Sequence, residues 1–520
     1  MKELIFHRLL LPTAERQASD LAFTDLGAGE QSTFGQHAER VKKLANGLRS
    51  ELGVQPGDRV AVLGGNSLAY VELWHAALFG ACVLNPLNNR FSAKELGFVL
   101  ADSGTRVCFV DQTFAPLIDE VRKEAGVESV VLIGDGEAPH DLRYSKLVEA
   151  GSETTPAEPD ENDVAVLMYT GGTTGTPKGV VLEHRAEVLN QYHIAMTLPW
   201  VRDWPFLLQT PIFHGASMLG VIGAPAFGVS SVILPGFEPG RCIEAIRDHQ
   251  IGFTVMVPTM IQMMLGHTSF TPEAVSSLKR MVYGASPMPT ALLERLIEIL
   301  PDLDLVQGYG MTEAATVLTW LTGEDHRKGG KLLTSAGRAV TGVELCIQDE
   351  EGNVLGPEEA GEVCARGGNY MREYWNRPDA TADVMRGGWY HSGDVGYLDS
   401  DGYLFLVDRA KDMIVTGGEN VYCTEVENAL ASHPDVAQVA VIGIPHEEWG
   451  EAVHAIVVLK VGISLRAEDL IAHARQLIAG YKVPKSVTFR DEPLPLSAAM
   501  KVLKRELRAP FWEGRGRAIN

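Results

Sequence analysis

A glycine- and threonine-rich segment with one lysine contains the residues best suited to chemistry. It runs Tyr-Thr-Gly-Gly-Thr-Thr-Gly-Thr-Pro-Lys-Gly over residues 169–179. Glycines let the backbone approach a phosphate closely, hydroxyls donate hydrogen bonds to it, and a lysine supplies positive charge. The segment is not a Walker A loop, because Pro177 stands where the second glycine should be. It predicts a phosphate cradle formed by Thr170, Gly171, Gly172, Thr173, Thr174, Gly175, Thr176, Pro177 and Lys178.

Two carboxylates and a lysine in later motifs fit the same chemistry. Glu313 ends the motif Gln-Gly-Tyr-Gly-Met-Thr-Glu, and Asp394 ends Tyr-His-Ser-Gly-Asp. Carboxylate oxygens are hard ligands of the kind that Mg²⁺ prefers, and an aspartate can accept two hydrogen bonds from a ribose diol. Lys501, in Met-Lys-Val-Leu-Lys, carries positive charge, although the basic stretch around it is by itself typical of a solvated helix. These residue types favour an enzyme that binds a nucleotide.

In this order and spacing, the motifs resemble the adenylate-forming superfamily, which contains acyl-CoA synthetases, peptide-synthetase adenylation domains and beetle luciferases. The set also includes Asp-Arg-Ala-Lys-Asp at 408–412 and Gly-Gly-Glu-Asn-Val-Tyr at 417–422, and the resemblance covers essentially the whole chain. It implies ATP-dependent acid–CoA ligation. A carboxylate attacks the α-phosphate of ATP·Mg²⁺ to give acyl-AMP and pyrophosphate, and the thiol of coenzyme A then expels AMP.

The resemblance implies a role for each nucleotide-binding motif. Glu313 and Thr174 are the expected ligands of Mg²⁺, and Thr312 is expected to hydrogen-bond the α-phosphate. Asp394 and Arg409 correspond to the ribose contacts. Adenine is expected to stack on Tyr309, and the segments around it are expected to line the base and the acyl pocket: Gly284, Ala285, Ser286, Gln307, Gly308, Gly310 and Met311.

Two further residues are expected near the reacting atoms. His214, in Pro-Ile-Phe-His-Gly, resembles the gate between the nucleotide site and the acyl pocket. It positions groups and does not act as a base, because a substrate carboxylate is already ionised at pH 7. Lys501 resembles the catalytic lysine of the C-terminal domain, which must close over the site. The family usually has glycine before this lysine, whereas this chain has Met500, so we expect slower adenylation or a stiffer loop, and Met500→Gly should raise adenylation or leave it unchanged.

Alternating strand-like and helix-like stretches predict an α/β fold. Arg59–Leu63 and Ser129–Ile133 are short apolar runs typical of buried strands. We expect a large N-terminal domain of parallel and mixed sheets flanked by helices, with a β-rich subdomain from about residue 342, and a small, mobile α+β C-terminal domain with a basic tail helix near residues 501–507. The resemblance implies an AMP-binding domain over residues 1–410 and a mobile domain over 411–520 that carries Lys501 and rotates about a hinge near Lys411 between the adenylating and thioester-forming states.

Composition excludes several classes of protein. The 520 residues include 45 Lys and Arg against 67 Asp and Glu, a net charge of −22 that argues against nucleic-acid binding. No apolar run approaches the ~20 residues of a membrane span, and no secretory signal begins the chain. The six cysteines lie far apart, which indicates neither a disulfide framework nor a zinc site. We therefore expect a cytoplasmic enzyme, with a homodimer as the commonest oligomer.

The acyl group and the acceptor are less sharply defined. Apolar residues near the expected pocket suit a medium- or long-chain fatty acid or an aryl acid: Ile212, Phe213, Ala216, Met218, Met256, Val257, Met260, Ala285, Met311 and Val317. Two alternatives to a CoA ligase stay open. One is an activating enzyme that loads a carrier-protein thiol. The other, suggested by Met500, is an inactive relative, although the retention of Lys178, Glu313, Asp394 and Arg409 argues against it.

Overall fold

The computed structural model describes residues 4–170, 177–409, 413–417, 419–497 and 500–513, without the side chains of Asp408 and Arg409. Within these residues the chain forms four β-sheets with helices packed against them. Two large mixed sheets precede a smaller antiparallel sheet, and a fourth sheet lies in a small C-terminal domain. The predicted α/β class, with its β-rich subdomain and C-terminal α+β domain, is confirmed.

The first large sheet has eight strands and a mostly parallel core. Its central strands are short apolar runs because helices and a second sheet cover both faces. Only the pairings at the end that carries Lys178–Glu183 are antiparallel. In spatial order the strands are Glu373–Tyr374, Lys178–Glu183, Val164–Thr170, Val83–Pro86, Arg59–Leu63, Val107–Asp111, Ser129–Ile133 and Leu142–Arg143.

The second large sheet has nine strands, with parallel strands in the middle and antiparallel pairings at both ends. Its parallel strands are joined through helices, as parallel pairing requires, and three of these helices, Pro239–Asp248, Pro258–Leu265 and Thr290–Ile299, cover the face turned away from the eight-stranded sheet. In spatial order the strands are Arg338–Ala339, Thr319–Leu321, Asp304–Tyr309, Arg280–Gly284, Phe253–Met256, Phe206–Leu208, Ser231–Ile233, Leu21–Asp25 and Glu30–Thr33.

The two smaller sheets have five strands each. The β-rich subdomain is wholly antiparallel and consists of Val343–Gln348, Gly361–Gly367, Trp389–Leu398, Met385–Arg386 and Leu404–Arg409. The C-terminal sheet consists of Glu419–Val421, Ile414–Thr416, Gly450–Leu459, Val436–His446 and Ser486–Arg490, of which the last pairs in parallel. Its apolar residues form a core of their own.

Helices begin and end where the sequence supplies caps. The helix Phe34–Leu52 begins with a capping box between Thr33 and Gln36 and ends at Gly53, whose φ is 63°. The other α-helices are His7–Arg16, Leu68–Leu78, Ala93–Ser103, Ala115–Ala125, Tyr144–Ala150, His184–Thr197, Ala224–Ala226, Pro239–Asp248, Pro258–Leu265, Thr290–Ile299, Gly323–Lys328, Pro378–Val384, Cys423–Ala431, Ala467–Arg475 and Lys504–Trp512, and Leu219–Gly223 is a π-helix.

Separate apolar cores lie on the two faces of the nine-stranded sheet. Phe206 and Leu208 belong to the core shared with the eight-stranded sheet, whereas Leu207 between them belongs to the other. Successive strand side chains point to opposite faces, so one strand contributes to both cores. We call the second core the helix-facing core, because the helices Pro258–Leu265 and Thr290–Ile299 cover it.

One predicted element differs. The basic tail helix was expected near residues 501–507 but spans Lys504–Trp512, so Lys501 precedes it. The reason is a tight turn: a bridge pairs Leu496 with Val502, which holds Lys501 out of the helix. The predicted hinge residue Lys411 lies outside the described residues, and the boundary at 410/411 stays a prediction. No helix in the described part of the chain is long and apolar enough to cross a membrane.

Candidate active site

The predicted base-binding segments lie side by side in the nine-stranded sheet. Strands Arg280–Gly284 and Asp304–Tyr309 run parallel, with Gly284 opposite Gly308. A Cβ on Gly284 would lie 2.1 Å from the carbonyl oxygen of Gly308, so a larger residue does not fit there. Ligands of α/β proteins bind outside the carboxyl ends of such strands. The remaining predicted residues follow at the same end: Ala285, Ser286, Gly310 and Met311.

Tyr309 and Asp394 connect this sheet to the β-rich subdomain. The Tyr309 hydroxyl donates a hydrogen bond of 2.8 Å to Oδ2 of Asp394, whose residue is only 8% exposed. Asp394 is paired in the backbone with Arg409 on the next strand. The side chain of Arg409 lies outside the described residues. A buried carboxylate fixed beside an aromatic ring has the chemistry to accept hydrogen bonds from a ribose next to a stacked base.

The segment that carries Asp394 is held by Glu362 on the neighbouring strand. Oε1 of Glu362 accepts a 3.0 Å hydrogen bond from the backbone N–H of Gly393, and Oε2 lies 2.8 Å from Nδ1 of His391. The Ser392 hydroxyl accepts from the N–H of Asp394 at 3.1 Å. Glu362 therefore fixes the backbone segment that carries Asp394.

A second aromatic residue, Tyr374, connects Glu313 with Lys178. Its hydroxyl donates a 2.8 Å hydrogen bond to Oε1 of Glu313, and the Lys178 ammonium lies 5.0 Å from the centre of its ring. Burial and the Glu313 carboxylate both raise the pKa of the Tyr374 hydroxyl, so it stays a donor at neutral pH. The Lys178 ammonium therefore lies over the ring of Tyr374, and the Glu313 carboxylate is bonded to the hydroxyl of the same residue. Glu313 offers the hard oxygen ligand that Mg²⁺ requires.

The ends of the phosphate-cradle segment are paired with each other. Thr170 and Lys178 are opposite residues on antiparallel strands, and the Thr170 hydroxyl lies 3.5 Å from the carbonyl oxygen of Lys178. Pro177 is buried beside this pair. The segment between them lies outside the described residues, and with it the predicted contacts of Gly171, Gly172, Thr173, Thr174, Gly175 and Thr176.

Thr312 and Glu313 occupy a short 3₁₀ turn that contacts the His214 loop. The turn spans Thr312–Ala314 and continues through Ala315 and Thr316, whose φ values are 48° and 115°. The Thr316 hydroxyl donates a 3.1 Å hydrogen bond to the carbonyl oxygen of Gly215. This bond joins the expected α-phosphate segment to the expected acyl gate.

His214 is a neutral imidazole beside Lys501. Burial, and secondly the positive charge of Lys501, lower its pKa to about 3. Its Nδ1 accepts a 3.2 Å hydrogen bond from the backbone N–H of Ala216, so the proton of the neutral ring resides on Nε2. The ring is therefore a donor at one nitrogen and carries no charge at pH 7. Lys501 of the C-terminal domain is therefore close enough to the expected gate of the large domain for its charge to lower the pKa of His214.

The loop that carries Lys501 is seated on the large domain. The Met500 carbonyl accepts a 2.8 Å hydrogen bond from Oγ1 of Thr259, and the Met500 side chain packs against the helix-facing core. A guanidinium nitrogen of Arg90 donates to the carbonyl oxygen of Leu496 at 2.6 Å. The loop that carries Lys501 thus lies at the junction between the domains.

The apolar residues expected around the acyl pocket separate into two groups. Six belong to the core between the large sheets or pack on it: Ile212, Phe213, Ala216, Met218, Met311 and Val317. The other four belong to the helix-facing core or pack on it: Met256, Val257, Met260 and Ala285. The first group includes the neighbours of His214, so it is the better candidate for the pocket wall.

Sequence reasoning missed Tyr374, Glu362, Thr316 and Thr259. Each acts through a partner distant in the chain, so no local motif marks it. Gln307 was predicted to line the base, and its Oε1 lies 3.5 Å from the Tyr283 hydroxyl. The one available signal was the aromatic run around Tyr374, where Tyr370, Tyr374 and Trp375 stand close together in a short segment.

Known proteins share this sequence and architecture. The family model described as AMP-binding enzyme matches residues 11–375, and the model described as AMP-binding enzyme C-terminal domain matches residues 425–501. The chain is 38% identical over 485 residues to the feruloyl-CoA synthase of Amycolatopsis sp, covering 93% of this chain and 94% of that protein. It is 36% identical over 497 residues to the fatty acid–[acyl-carrier-protein] ligase ScoC of Streptomyces coeruleorubidus, covering 95% and 94%.

A solved structure gives the same result for the fold. The o-succinylbenzoate CoA synthetase MenE of Bacillus subtilis, in complex with the acyl-adenylate intermediate OSB-AMP, superimposes with a TM-score of 0.84 at 29% identity, covering 96% of this chain and 98% of that one. Because a family model spans more than half of the chain and these relatives cover nearly all of it, the chain belongs to the AMP-binding, adenylate-forming enzymes and is an AMP-forming acyl-CoA synthetase.

Proposed function

We propose that this enzyme joins a hydrophobic carboxylic acid, a medium- or long-chain fatty acid or an aryl acid, to coenzyme A through an acyl-adenylate. One observation carries the proposal. The strand Asp304–Tyr309 of the nine-stranded sheet ends at Tyr309, which is bonded to Asp394, and four residues later Glu313 accepts a hydrogen bond from Tyr374, whose ring lies beside Lys178.

ATP binding follows from the first two of these groups. The Asp394 carboxylate accepts hydrogen bonds from the ribose, and Tyr309 stacks on adenine while its hydroxyl keeps Asp394 oriented. The Lys178 ammonium offsets phosphate charge. Glu313, together with Thr174, would hold Mg²⁺, which would neutralise charge on the phosphates.

Adenylation needs alignment and charge compensation and no general base. The acid enters ionised, so its oxygen attacks the α-phosphorus directly while pyrophosphate leaves. Lys501 places a positive charge beside the two anions that must meet, and Thr312 donates a hydrogen bond to the α-phosphate. The neutral His214 repels neither reactant, and its Nε2–H is available to orient the carboxylate. In the second step the thiol of coenzyme A attacks the acyl carbon, and AMP leaves.

The acyl group is proposed from the pocket wall and from the relatives. Methionine side chains such as Met218 and Met311 adapt to varied apolar shapes, and all six residues proposed for the pocket wall are apolar. The likeness to a feruloyl-CoA synthase supports an aryl acid, and the likeness to ScoC supports a fatty acid. ScoC also favours a second candidate function, loading of a carrier-protein thiol.

Mass spectrometry of products tests both candidates. Purified enzyme is incubated with ATP and Mg²⁺ and a panel of fatty acids, benzoates and cinnamates, with and without coenzyme A and with a phosphopantetheinylated carrier protein. Acyl-CoA and AMP formed only with coenzyme A are expected. Acyl-AMP that accumulates despite coenzyme A and disappears on addition of the carrier would overturn the CoA acceptor. No nucleotide turnover with any acid would favour the inactive relative. Light scattering of the same preparation tests the expected homodimer.

A further inference from the structure

We propose that Met500 and Thr259 form a clamp between the domains that holds Lys501 in the adenylating position, and that thioester formation is slowed because the clamp must open first. The inference rests on the proposed role of Lys501. It concerns the residue at which this chain departs from the family, which usually has glycine before the lysine.

The backbone at Met500 is unusual for a residue with a side chain. Its φ is 60°, in the left-handed region that favours glycine. A closed turn imposes this value: the Met500 N–H donates to the carbonyl oxygen of Ser497 at 2.9 Å, and the Ser497 N–H donates to the carbonyl oxygen of Lys501 at 2.7 Å. Glycine would form the same turn without strain. Methionine at this position therefore requires a compensating contact.

The side chain supplies that contact. It packs against the helix-facing core of the large domain, which includes Met256 and Met260. A flexible thioether side chain fits an irregular apolar surface well. The contact crosses the domain junction, so it exists only while the C-terminal domain lies in the present orientation. A glycine would adopt the turn and lose the contact.

Hydrogen bonds also join the two domains at this junction. Thr259 donates to the Met500 carbonyl at 2.8 Å, and Nε2 of Gln262 donates to the Ala437 carbonyl at 2.6 Å. Thr259 and Gln262 are three residues apart on the helix Pro258–Leu265 and share one face of it. This single helix therefore contacts the C-terminal domain both at the Lys501 loop and at the strand Val436–His446.

The two half-reactions respond differently to such a clamp. Adenylation needs Lys501 at the site, whereas thioester formation in this family uses a rotated C-terminal domain. A contact made in only one orientation shifts the population toward that orientation. The packing thus reverses the expectation from sequence: removing the methionine side chain should lower adenylation and should not raise it.

Half-reactions measured separately test the clamp. Adenylation is followed as single-turnover pyrophosphate release, and thioester formation as acyl-CoA made from supplied acyl-AMP. Met500→Gly and Thr259→Val are expected to lower the first rate and raise the second, so that their ratio changes by roughly tenfold, equivalent to about 1.4 kcal/mol. Met500→Leu, which restores an apolar side chain, should return the ratio toward the wild type. Met263→Ala is the matched control, because Met263 lies on the same helix but is 43% exposed.

Hydrogen exchange supplies a readout independent of turnover. Amides of the peptide 495–503 should exchange faster in Met500→Gly and Thr259→Val than in the wild type and in Met263→Ala. Unchanged exchange, or equal loss of both half-reactions with intact melting temperature, would overturn the clamp. A third outcome is that the wild type makes no acyl-CoA from acyl-AMP while hydrogen exchange of this peptide is still faster in Met500→Gly and Thr259→Val. That result would overturn the CoA-ligase proposal and would support the contact between Met500 and Thr259.

Discussion

The hydroxyl of Tyr309 donates a 2.8 Å hydrogen bond to the carboxylate of Asp394, 85 residues further along the chain. The two side chains belong to different sheets, and the bond fixes an aromatic ring beside a buried acid. A nucleoside can use both groups, because its base stacks on an aromatic ring and its ribose hydroxyls donate to a carboxylate. The hydrogen bond therefore has a measurable consequence for nucleotide binding.

Tyr309→Phe is expected to raise the KM for ATP by about tenfold, the loss typical of a hydrogen bond to a charged group. The ring is retained, so stacking and kcat should change little. Initial rates at varied ATP and fixed acid measure this. Tyr481→Phe, at a tyrosine that is 42% exposed, is the matched control. A fall in kcat at unchanged KM would contradict the assignment.

Tyr374→Phe removes the hydroxyl that orients Glu313 and keeps the ring beside Lys178. We expect the Mg²⁺ concentration for half-maximal adenylation to rise by roughly tenfold, the lower end of the loss that is typical when a hydrogen-bond partner of a metal ligand is removed. Titration of Mg²⁺ at saturating ATP gives the value. Glu313→Gln should raise the Mg²⁺ requirement much more. An unaltered Mg²⁺ requirement in Tyr374→Phe would contradict a role for Tyr374 in orienting the metal ligand Glu313.

Glu362→Gln tests the support of the ribose-binding segment. The carboxylate accepts from Gly393 and lies beside His391, so its neutral replacement should loosen Asp394 and raise the KM for ATP by several-fold, about 1 kcal/mol. Glu344→Gln on the adjacent strand is the control. Its pair with Arg366 is exposed at 2.7 Å and contributes little. Similar KM values for the two variants would contradict a positioning role for Glu362.

Lys501→Ala is expected to abolish adenylation, by about a thousandfold or more, because no other group would replace its charge beside the α-phosphate. Thioester formation from supplied acyl-AMP should be largely retained. Lys504→Ala serves as the comparison, since Lys504 begins the tail helix and pairs with Glu427 at 2.7 Å. Equal loss of both half-reactions in Lys501→Ala would remove the lysine from its proposed role.

The depressed pKa of His214 predicts the sign of a stability change with pH. The ring titrates near pH 3 when folded and near 6.5 when unfolded, so between these values the unfolded chain binds the extra proton. Stability is therefore lost as pH falls below 6.5. His214→Gln should reduce the slope of unfolding free energy between pH 7 and 5 by up to about 1.4 kcal/mol per pH unit. Urea titrations at several pH values measure it, and an unchanged slope would contradict a neutral His214.

Local patterns predicted the strands and motifs well and the contacts between them poorly. Arg59–Leu63 and Ser129–Ile133 were identified because a buried parallel strand is a short apolar run. Tyr374 was not, because it reaches Glu313 only through the pairing of its strand with Val180 and Val181. The tail helix was placed three residues early because the bridge between Leu496 and Val502 closes a turn that keeps Lys501 out of the helix, and no helix-breaking residue marks that turn in the sequence.

The candidate site is divided among the sheets: Lys178 on the first, Tyr309 on the second, Asp394 on the third and Lys501 beside the fourth. The C-terminal sheet has its own core and could melt separately. A nucleotide touching all four groups would bind only a chain in which every sheet is folded and docked. At a hundred times its Kd it would add about 2.7 kcal/mol to that assembled state. ATP would thus make unfolding of the sheets cooperative, and its depletion would expose the domain junction to proteolysis.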